Sequence, residues 1–372
     1  VQLLQESVSD SAKPYVHLGL TSNDVVDTAM NLMLKDAINY VIIPDMTDLE
    51  KILIYSSRKY KSIVQIGRTH GQHAIPTTFG RELAVYVDRF GNRISRIKKE
   101  TDNLRGKISG AIGTKASFSL FYDNPDEIER LTLKKLGLNA TSITTQIIPK
   151  EYEADFFGEI VKTHGVISDL ANDIRQLQRT EIQEVEEEFL KTQIGSSTMP
   201  HKRNPDSFEN ICSQYRKTAP SLLSVLLNIE SEHQRDMRDS AARRYYFVEI
   251  LVPFDYSVKR MSDLMNHLKV NENAMKKNLS LTKGNILAEP LYISLALSDR
   301  GDAHEYLRKL TALQRKSSEE ILKYDVIKQA IERLSEEKQK IFSNPSLYIG
   351  SSEKLVDEVC DFWDKRTSEI SK

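Results

Sequence analysis

The chain has 372 residues, 40% hydrophobic and 28% charged, which suits two or three packed helical subdomains and excludes a disordered chain. Its 52 Lys and Arg face 53 Asp and Glu, so no global basic footprint supports nonspecific nucleic-acid binding, and any anion site must be local. Cys212 and Cys360 lie far apart outside any C-x-x-C pair and read as idle thiols of a reducing compartment. With no apolar run near the ~20 residues of a membrane span, and no basic-then-apolar leader, the expected location is cytoplasmic.

The chain opens on Val1, and Val1–Glu6 reads like the interior of a helix. Residues 1–22 are therefore expected to be the remnant of an N-terminal helical domain whose natural start is missing. Asn23-Asp24 is placed to cap a helix through Val25–Lys61, kinked at Pro44 where the ring removes a backbone donor. Thr77–Leu104 lacks proline and carries Leu83, Val85, Val87, Phe90, Ile94 and Ile97 as a helical stripe. Asn124-Pro125 reads as cap and first-turn proline for Asp126–Leu136, and Glu151–Phe189, Asp206–His233 and Ser240–Leu268 read as three more long helices. Helices of that length span roughly 45 Å at ~1.5 Å per residue. The expected fold class is all-α: an elongated long-helix bundle over 23–270 and a smaller helical C-terminal domain over 271–372, with the seam near Val270–Gly284.

Four polar segments interrupt this pattern. Gly195–Pro205 joins two long helices and is more elaborate than a connector requires. Glycine and proline shape its backbone, Ser196 and Ser197 offer a nucleophile or base, and Lys202 and Arg203 bring positive charge to a helix N-terminus suited to an anion. In Gly67–Thr78, His70 and His73 sit among small polar residues as candidates for proton transfer; zinc is the rival, without an acidic or thiol partner at ligand spacing. His17–Asp24 is either a capping turn or part of a polar site. His233–Arg244 carries five arginine or histidine side chains, suited to a phosphate or, in the plain reading, to a solvated face. The acidic run Glu184–Glu188 reads as a solvated face, Gly350-Ser351-Ser352 as a helix cap, and His164, His267 and His304 as structural.

Taken together these segments resemble the fumarase/aspartase superfamily, whose signature Gly-Ser-Ser-x-Met-Pro-x-Lys-x-Asn-Pro is matched at each defined position by Gly195–Pro205. Its adenylosuccinate lyase branch is similar at Pro200–Pro205, His17-x-Gly19-x-Thr21-Ser22-x-Asp24, Gly67–Gln72, Thr144-Thr145-Gln146, Leu177–Glu181 and Arg235-Asp236…Ser240…Arg244. The resemblance covers nearly the whole chain. Two departures stand out: an N-terminal segment with an Asn-His-Asp-Val-like motif is absent, and Gly113-Thr114-Lys115 stands where relatives often have Gly-Asn-Tyr.

The resemblance implies a long-helix bundle of the fumarase/aspartase type and a carbon–nitrogen lyase of purine biosynthesis needing no metal or cofactor. It would eliminate fumarate from adenylosuccinate, giving AMP, and from SAICAR, giving AICAR. It implies Ser196 as the base that takes the proton beside a succinyl carboxylate, and His70 as the acid that protonates the departing nitrogen. Lys202 and Asn204 would hold the succinyl carboxylate, Glu209 would orient a catalytic histidine, and His17, Thr21, Ser22 and Gln146 would line the succinyl site, with Thr69 also contacting substrate. Arg235, Ser240 and Arg244 would hold the nucleotide and its phosphate. Removing that proton makes an aci-carboxylate dianion, which preplaced cations and backbone donors stabilise, and a serine base needs such help for its alkoxide. Because these residues lie on different long elements, the resemblance further implies a homotetramer with active sites shared between subunits, with no membrane or nucleic-acid partner. The rivals are another fumarate-releasing lyase such as argininosuccinate lyase, which has no need of the Arg235–Arg244 cluster, and a non-catalytic structural homologue, against which the intact Ser196, His70, Lys202 and Asn204 set speaks.

Overall fold

The computed structural model describes residues 1–189, 198–282 and 284–370. Helix α1 (Ser22–Ala37) starts on a capping box, with Asp24 accepting the Thr21 backbone N–H at 2.8 Å. The cap is thus Thr21, ahead of the expected Asn23-Asp24. A π-turn at Ile38–Ile42 leads into α2 (Ile43–Lys59), where Pro44 occupies the first turn and its missing N–H goes unneeded. The expected kink is therefore a π-bulge that begins before the proline.

An antiparallel hairpin follows, β1 (Val64–Thr69) and β2 (Gln72–Thr78), where the sequence suggested only a polar approach to a helix. Thr78 caps α3 (Phe79–Asp102) by accepting the Arg81 N–H at 3.2 Å. Gly80 lets α3 pass α2 closely, since a Cβ there would lie 2.3 Å from the Ser57 carbonyl oxygen. Leu83, Val87, Phe90, Ile94 and Ile97 are buried as the stripe predicts, whereas Val85 faces out. Helix α4 (Pro125–Leu136) has Pro125 in its first turn and ends on Gly137 in the left-handed region.

The long helices α5 (Glu151–Leu177) and α6 (Asp206–Leu227) are shorter than the sequence pattern suggested, and α7 (Arg238–Asn266) has the expected length but begins two residues earlier. Between α5 and α6 the chain forms the short strand β3 (Val185–Glu186), which pairs antiparallel with β4 (Lys269–Val270) just before α8 (Glu272–Ser280). The inward stripes of α2, α3, α5, α6 and α7 meet in one core that includes Phe79, Phe90, Phe156, Phe208 and Phe254, all fully buried. Short helices after residue 287 enclose a second core of Leu287, Leu291, Leu295, Leu307, Ile321 and Ile327. The final helix, α9 (Ser352–Ile370), returns to the first core through Val356, Cys360 and Trp363, and Trp363 Nε1 donates to Asp88 Oδ1 at 2.9 Å.

One polar group sits deep between α5, α6 and α7. His164 Nε2 lies 3.0 Å from Ser257 Oγ, with the Tyr215 and Phe254 rings against it, and burial lowers its pKa to about 4. The depressed value keeps the ring neutral, so its contribution is present above the ordinary histidine pKa of about 6.5 and is lost as pH falls toward 4. Replacing His164 with Gln should therefore flatten the acid loss of stability between pH 6.5 and 4 by on the order of 2–3 kcal/mol. Urea unfolding of both proteins at pH 7 and pH 4.5 checks this, and equal acid losses would refute it.

Candidate active site

The polar segments fold onto the two ends of α5. At its N-terminal end the organising group is the Asp24 carboxylate, fully buried with its partner Lys107. Lys107 Nζ donates to Asp24 Oδ1 at 2.5 Å and to the Gly110 carbonyl at 2.9 Å, while the Ser109 and Gly110 N–H groups reach Asp24 at 2.9 and 3.1 Å. One carboxylate thus binds the start of α1 to the 107–110 loop. Beside it Asp27 accepts from Arg243 Nη1 at 2.6 Å and from the Ile148 N–H at 3.0 Å. Burial works to raise the Asp27 carboxyl, but the Lys150 and Arg243 charges outweigh it and leave the group below its usual range. Arg243 also forks onto Glu153, and the Tyr246 hydroxyl donates to that carboxylate at 3.1 Å. Arg243, one of the five cationic side chains of the arginine-rich segment, is therefore interior and committed.

On this platform sit the predicted substrate contacts. The Gln146 backbone N–H donates to the Gln234 carbonyl at 3.3 Å, its Nε2 to the Ala111 carbonyl at 3.0 Å, and its Oε1 accepts from Arg235 Nη1 at 3.1 Å. The Arg235 guanidinium also faces the Asn23 side chain, whose oxygen accepts from it when the amide is turned to satisfy both groups. Thr21 and Ser22 open α1 next to Asn23, and His17 precedes them in a left-handed conformation with φ 67°, exposed to solvent. Ser240 and the exposed Arg244 lie one turn apart at the start of α7. The departure at Gly113-Thr114-Lys115 is structural: Lys115, at φ 59°, reaches Asp126 at 2.6 Å and Glu129 at 2.7 Å and so ties this loop to α4.

The second group gathers at the C-terminal end of α5. His70 and Gly71 form a two-residue turn with φ 54° and 73°, and the flanking pairs are Thr69 with Gln72 and Arg68 with His73. Positive φ at both turn residues matches the right-handed twist of the strands, so the hairpin projects His70 at its exposed tip. Below it Arg68 makes a fork to Glu184, which is fully buried. Burial lowers the pKa of half-buried His73, Arg68 adds to that effect, and Glu184 opposes it. Under the hairpin, burial pushes the Glu82 carboxyl up to about 7, with Asp173 adding to the effect and the hydrogen bond from Gln65 opposing it.

The acidic run is thus not the solvated face the sequence suggested. Glu184 and Glu187 are buried because donors from Arg68, Asn278 and the Ser207 N–H satisfy them, and only then can a carboxylate leave water. Lys202 and Asn204 line a cavity of about 1480 Å³ with Arg175, Arg179, Glu209 and Lys269. Arg203 pairs with Glu186, and Glu209 faces Arg175 at 3.4 Å. Ser196, with Gly195 and Ser197, lies outside the described residues. Among the described residues no group of three or more His, Cys, Asp or Glu could hold a metal ion.

One chain therefore brings His17, Thr21, Ser22, Gln146, Arg235, Ser240 and Arg244 to one end of α5, and Thr69, His70, Lys202, Asn204 and Glu209 to the other. With 27 residues, α5 holds these ends roughly 40 Å apart at ~1.5 Å per residue. Lys107 was not singled out in the sequence, and Asn23 and Glu184 were read there only as a helix cap and as part of a solvated acidic run. For the hairpin, the alternation at Val64-Gln65-Ile66 and the β-branched Thr77-Thr78 were the available signal.

A family model described as lyase matches residues 3–217, and one described as adenylosuccinate lyase C-terminal matches residues 231–349. The chain belongs to this lyase family, in the branch that carries the adenylosuccinate lyase C-terminal module. Its relatives include the adenylosuccinate lyase of Pyrococcus abyssi, 37% identical with 97% of this chain and 80% of the relative covered. That of Methanocaldococcus jannaschii is 36% identical, covering 96% and 78%. The fumarate lyase from Mesorhizobium sp. BNC1 is a solved structure similar to this one, with a TM-score of 0.82, 26% identity, and 97% of this chain and 81% of that chain covered.

Breaking a buried pair from one side leaves an unpaired interior charge, which costs about 3–5 kcal/mol. Asp24→Asn strands Lys107 in this way and should destabilise the protein by that amount, measured by denaturant unfolding at neutral pH. A loss below about 1 kcal/mol, the scale of an ordinary exposed pair, would show that the Asp24–Lys107 contact is not what holds this end together.

Proposed function

We infer that the chain catalyses the β-elimination of fumarate from adenylosuccinate, leaving AMP, and from SAICAR, leaving AICAR, as a carbon–nitrogen lyase of purine biosynthesis acting in the cytoplasm. One observation carries this reading: the adenylosuccinate lyase module, beginning at residue 231, contains Arg235, Ser240 and Arg244, and Arg235 is hydrogen-bonded to Gln146 beside the start of α1. A phosphorylated nucleotide adds a phosphate to the two carboxylates of the succinyl group, and these further arginines supply cations to bind it.

In this reading Ser196 removes the proton beside the succinyl carboxylate. Lys202 and Asn204 stabilise the negative charge that develops there, which is worth most in a site closed to water. His70 gives its proton to the leaving purine nitrogen, and its exposure at the tip of a two-residue turn supports that task. His17, Thr21, Ser22, Thr69 and Gln146 bind the succinyl part. Arg235, Ser240 and Arg244 bind the nucleotide. Glu209, bonded to Arg175 within the chain, would orient a histidine of another subunit.

The assembly we propose is a homotetramer with shared sites. What supports it is the length of α5, because residues roughly 40 Å apart in one chain can meet only when antiparallel copies stand side by side. Exposed apolar side chains along α6 and α7, among them Leu223, Leu227, Val248 and Val252, offer the surface for that contact.

Fumarate release, followed by absorbance with adenylosuccinate and SAICAR as substrates, tests the activity directly. Turnover should fall by a factor of at least about 1000 in Ser196→Ala, with substrate binding largely retained, because a group that acts only in the transition state affects kcat. A variant keeping a tenth of normal turnover would remove Ser196 from the role of base. For the shared site, His17→Ala and His70→Ala are each expected to keep only a small residual activity. Subunit exchange in an equal mixture should restore about a quarter of native activity, since each site then draws its two residues at random from two chains. Mixed oligomers confirmed by mass, with no gain over the separate variants, would place both residues in one chain.

A further inference from the structure

The segment that leaves α5 is tied to several elements at one residue. Glu184 takes Arg68 Nη2 at 2.7 Å and Nη1 at 3.0 Å, and Asn278 Nδ2 at 2.8 Å. Its backbone N–H donates to the Leu177 carbonyl at 3.0 Å, and its carbonyl accepts the Asn271 N–H at 2.9 Å. One buried residue thus joins the hairpin, the last turn of α5, and both the cap and the body of α8. Immediately downstream, Glu186 pairs with Arg203, and Glu187 accepts the Ser207 N–H at 3.2 Å at the start of α6. The segment 184–187 is therefore a strut with the His70 hairpin on one side and the 199–207 stretch, with Lys202 and Asn204, on the other.

We infer that Glu184 is a positioning residue for His70, holding the hairpin tip through the Arg68 fork. The inference rests on the reading of His70 as the proton donor. A two-stranded hairpin is marginally stable by itself, so its tip takes its position from whatever anchors its strands. Arg68 lies two residues before His70, at the last interstrand pair but one before the turn, and it is the strand's charged side chain bound to the interior. Its planar fork fixes angle as well as distance, which a single hydrogen bond does not. A displacement of about 1 Å at a reacting group can cost on the order of 100-fold in rate.

The test is a kinetic cycle on the full chain. Glu184→Gln preserves the shape and removes the charge from the fork. Its kcat for adenylosuccinate should fall between about tenfold and 100-fold, with KM within about twofold because, of the proposed substrate-binding groups, only Thr69 rides on the hairpin. In a His70→Ala background the same substitution should lower the residual kcat by less than about twofold, since its effect passes through His70. An equal fold loss in both backgrounds would overturn the proposal, because a purely structural role acts whether or not His70 is present. Arg68→Lys keeps the charge and removes the fork, and it should repeat the same pattern; if Glu184→Gln does not fold, this variant decides. Near-native kcat in Arg68→Lys or in Glu184→Gln would refute the positioning role. Near-native turnover in His70→Ala alone would instead sink the assignment of His70 as proton donor.

Discussion

A straight helix cannot bring its own ends together, and α5 imposes that limit on everything around it. Its N-terminal turn carries Glu153 in the ion-pair group with Asp27 and Arg243, and its C-terminal turn leads to Glu184 and the hairpin. Each end is built as a finished half. Between the two ends α2, α3, α6 and α7 pack along the intervening length of α5 in one apolar core. In the shared-site assembly proposed above, chemistry that needs both halves finds the second one on another molecule.

The two halves share a way of using charge. Lys107, Arg243 and Arg68 are drawn inward and neutralised by Asp24, by Asp27 and Glu153, and by Glu184. Taking such ions out of water is expensive, and pairing offsets the cost only when the geometry is good and the remaining lone pairs are satisfied. That condition is met at Asp24, which gathers a lysine and three backbone N–H groups. What these pairs provide is location: each fastens a loop or strand to a helix end with directional bonds. Lys202 and Arg244, by contrast, are exposed, the arrangement expected of cations meant for an anion from outside.

Much of this was legible in the sequence because helices report themselves through periodicity. The stripe from Leu83 to Ile97, Val85 apart, and the proline at the start of α4 lie where the pattern put them. The polar interruptions marked both ends of the bundle, and their residue types supplied the candidate site. Long-range pairing was not legible. Nothing local ties Arg68 to Glu184, 116 positions apart, and a carboxylate-rich stretch reads as solvated unless its donors are known. The hairpin was hidden for another reason. Its strands are short, one contains Pro76, and polar residues occupy positions that a buried strand would fill with apolar ones. The capping box at Thr21 escaped because Asn23 and Asp24 are both acceptable caps, and only the backbone trace decides among neighbours.

The two-residue turn that carries His70 has a consequence for how this protein can vary. A left-handed φ at that position penalises most side chains with a Cβ, and only glycine, asparagine, aspartate and, less readily, histidine enter it at small cost. A lysine or tyrosine, either of which could in principle deliver a proton, would have to carry backbone strain there as well as replace the imidazole. The alphabet open to the tip of this hairpin is thus narrowed by backbone geometry before chemistry is consulted, and drift at position 70 is channelled toward small residues unable to act as acids at neutral pH. In the reading of His70 as the proton donor, loss of activity by mutation at this turn is then a short step that leaves the fold intact, whereas its replacement by a different working acid is remote.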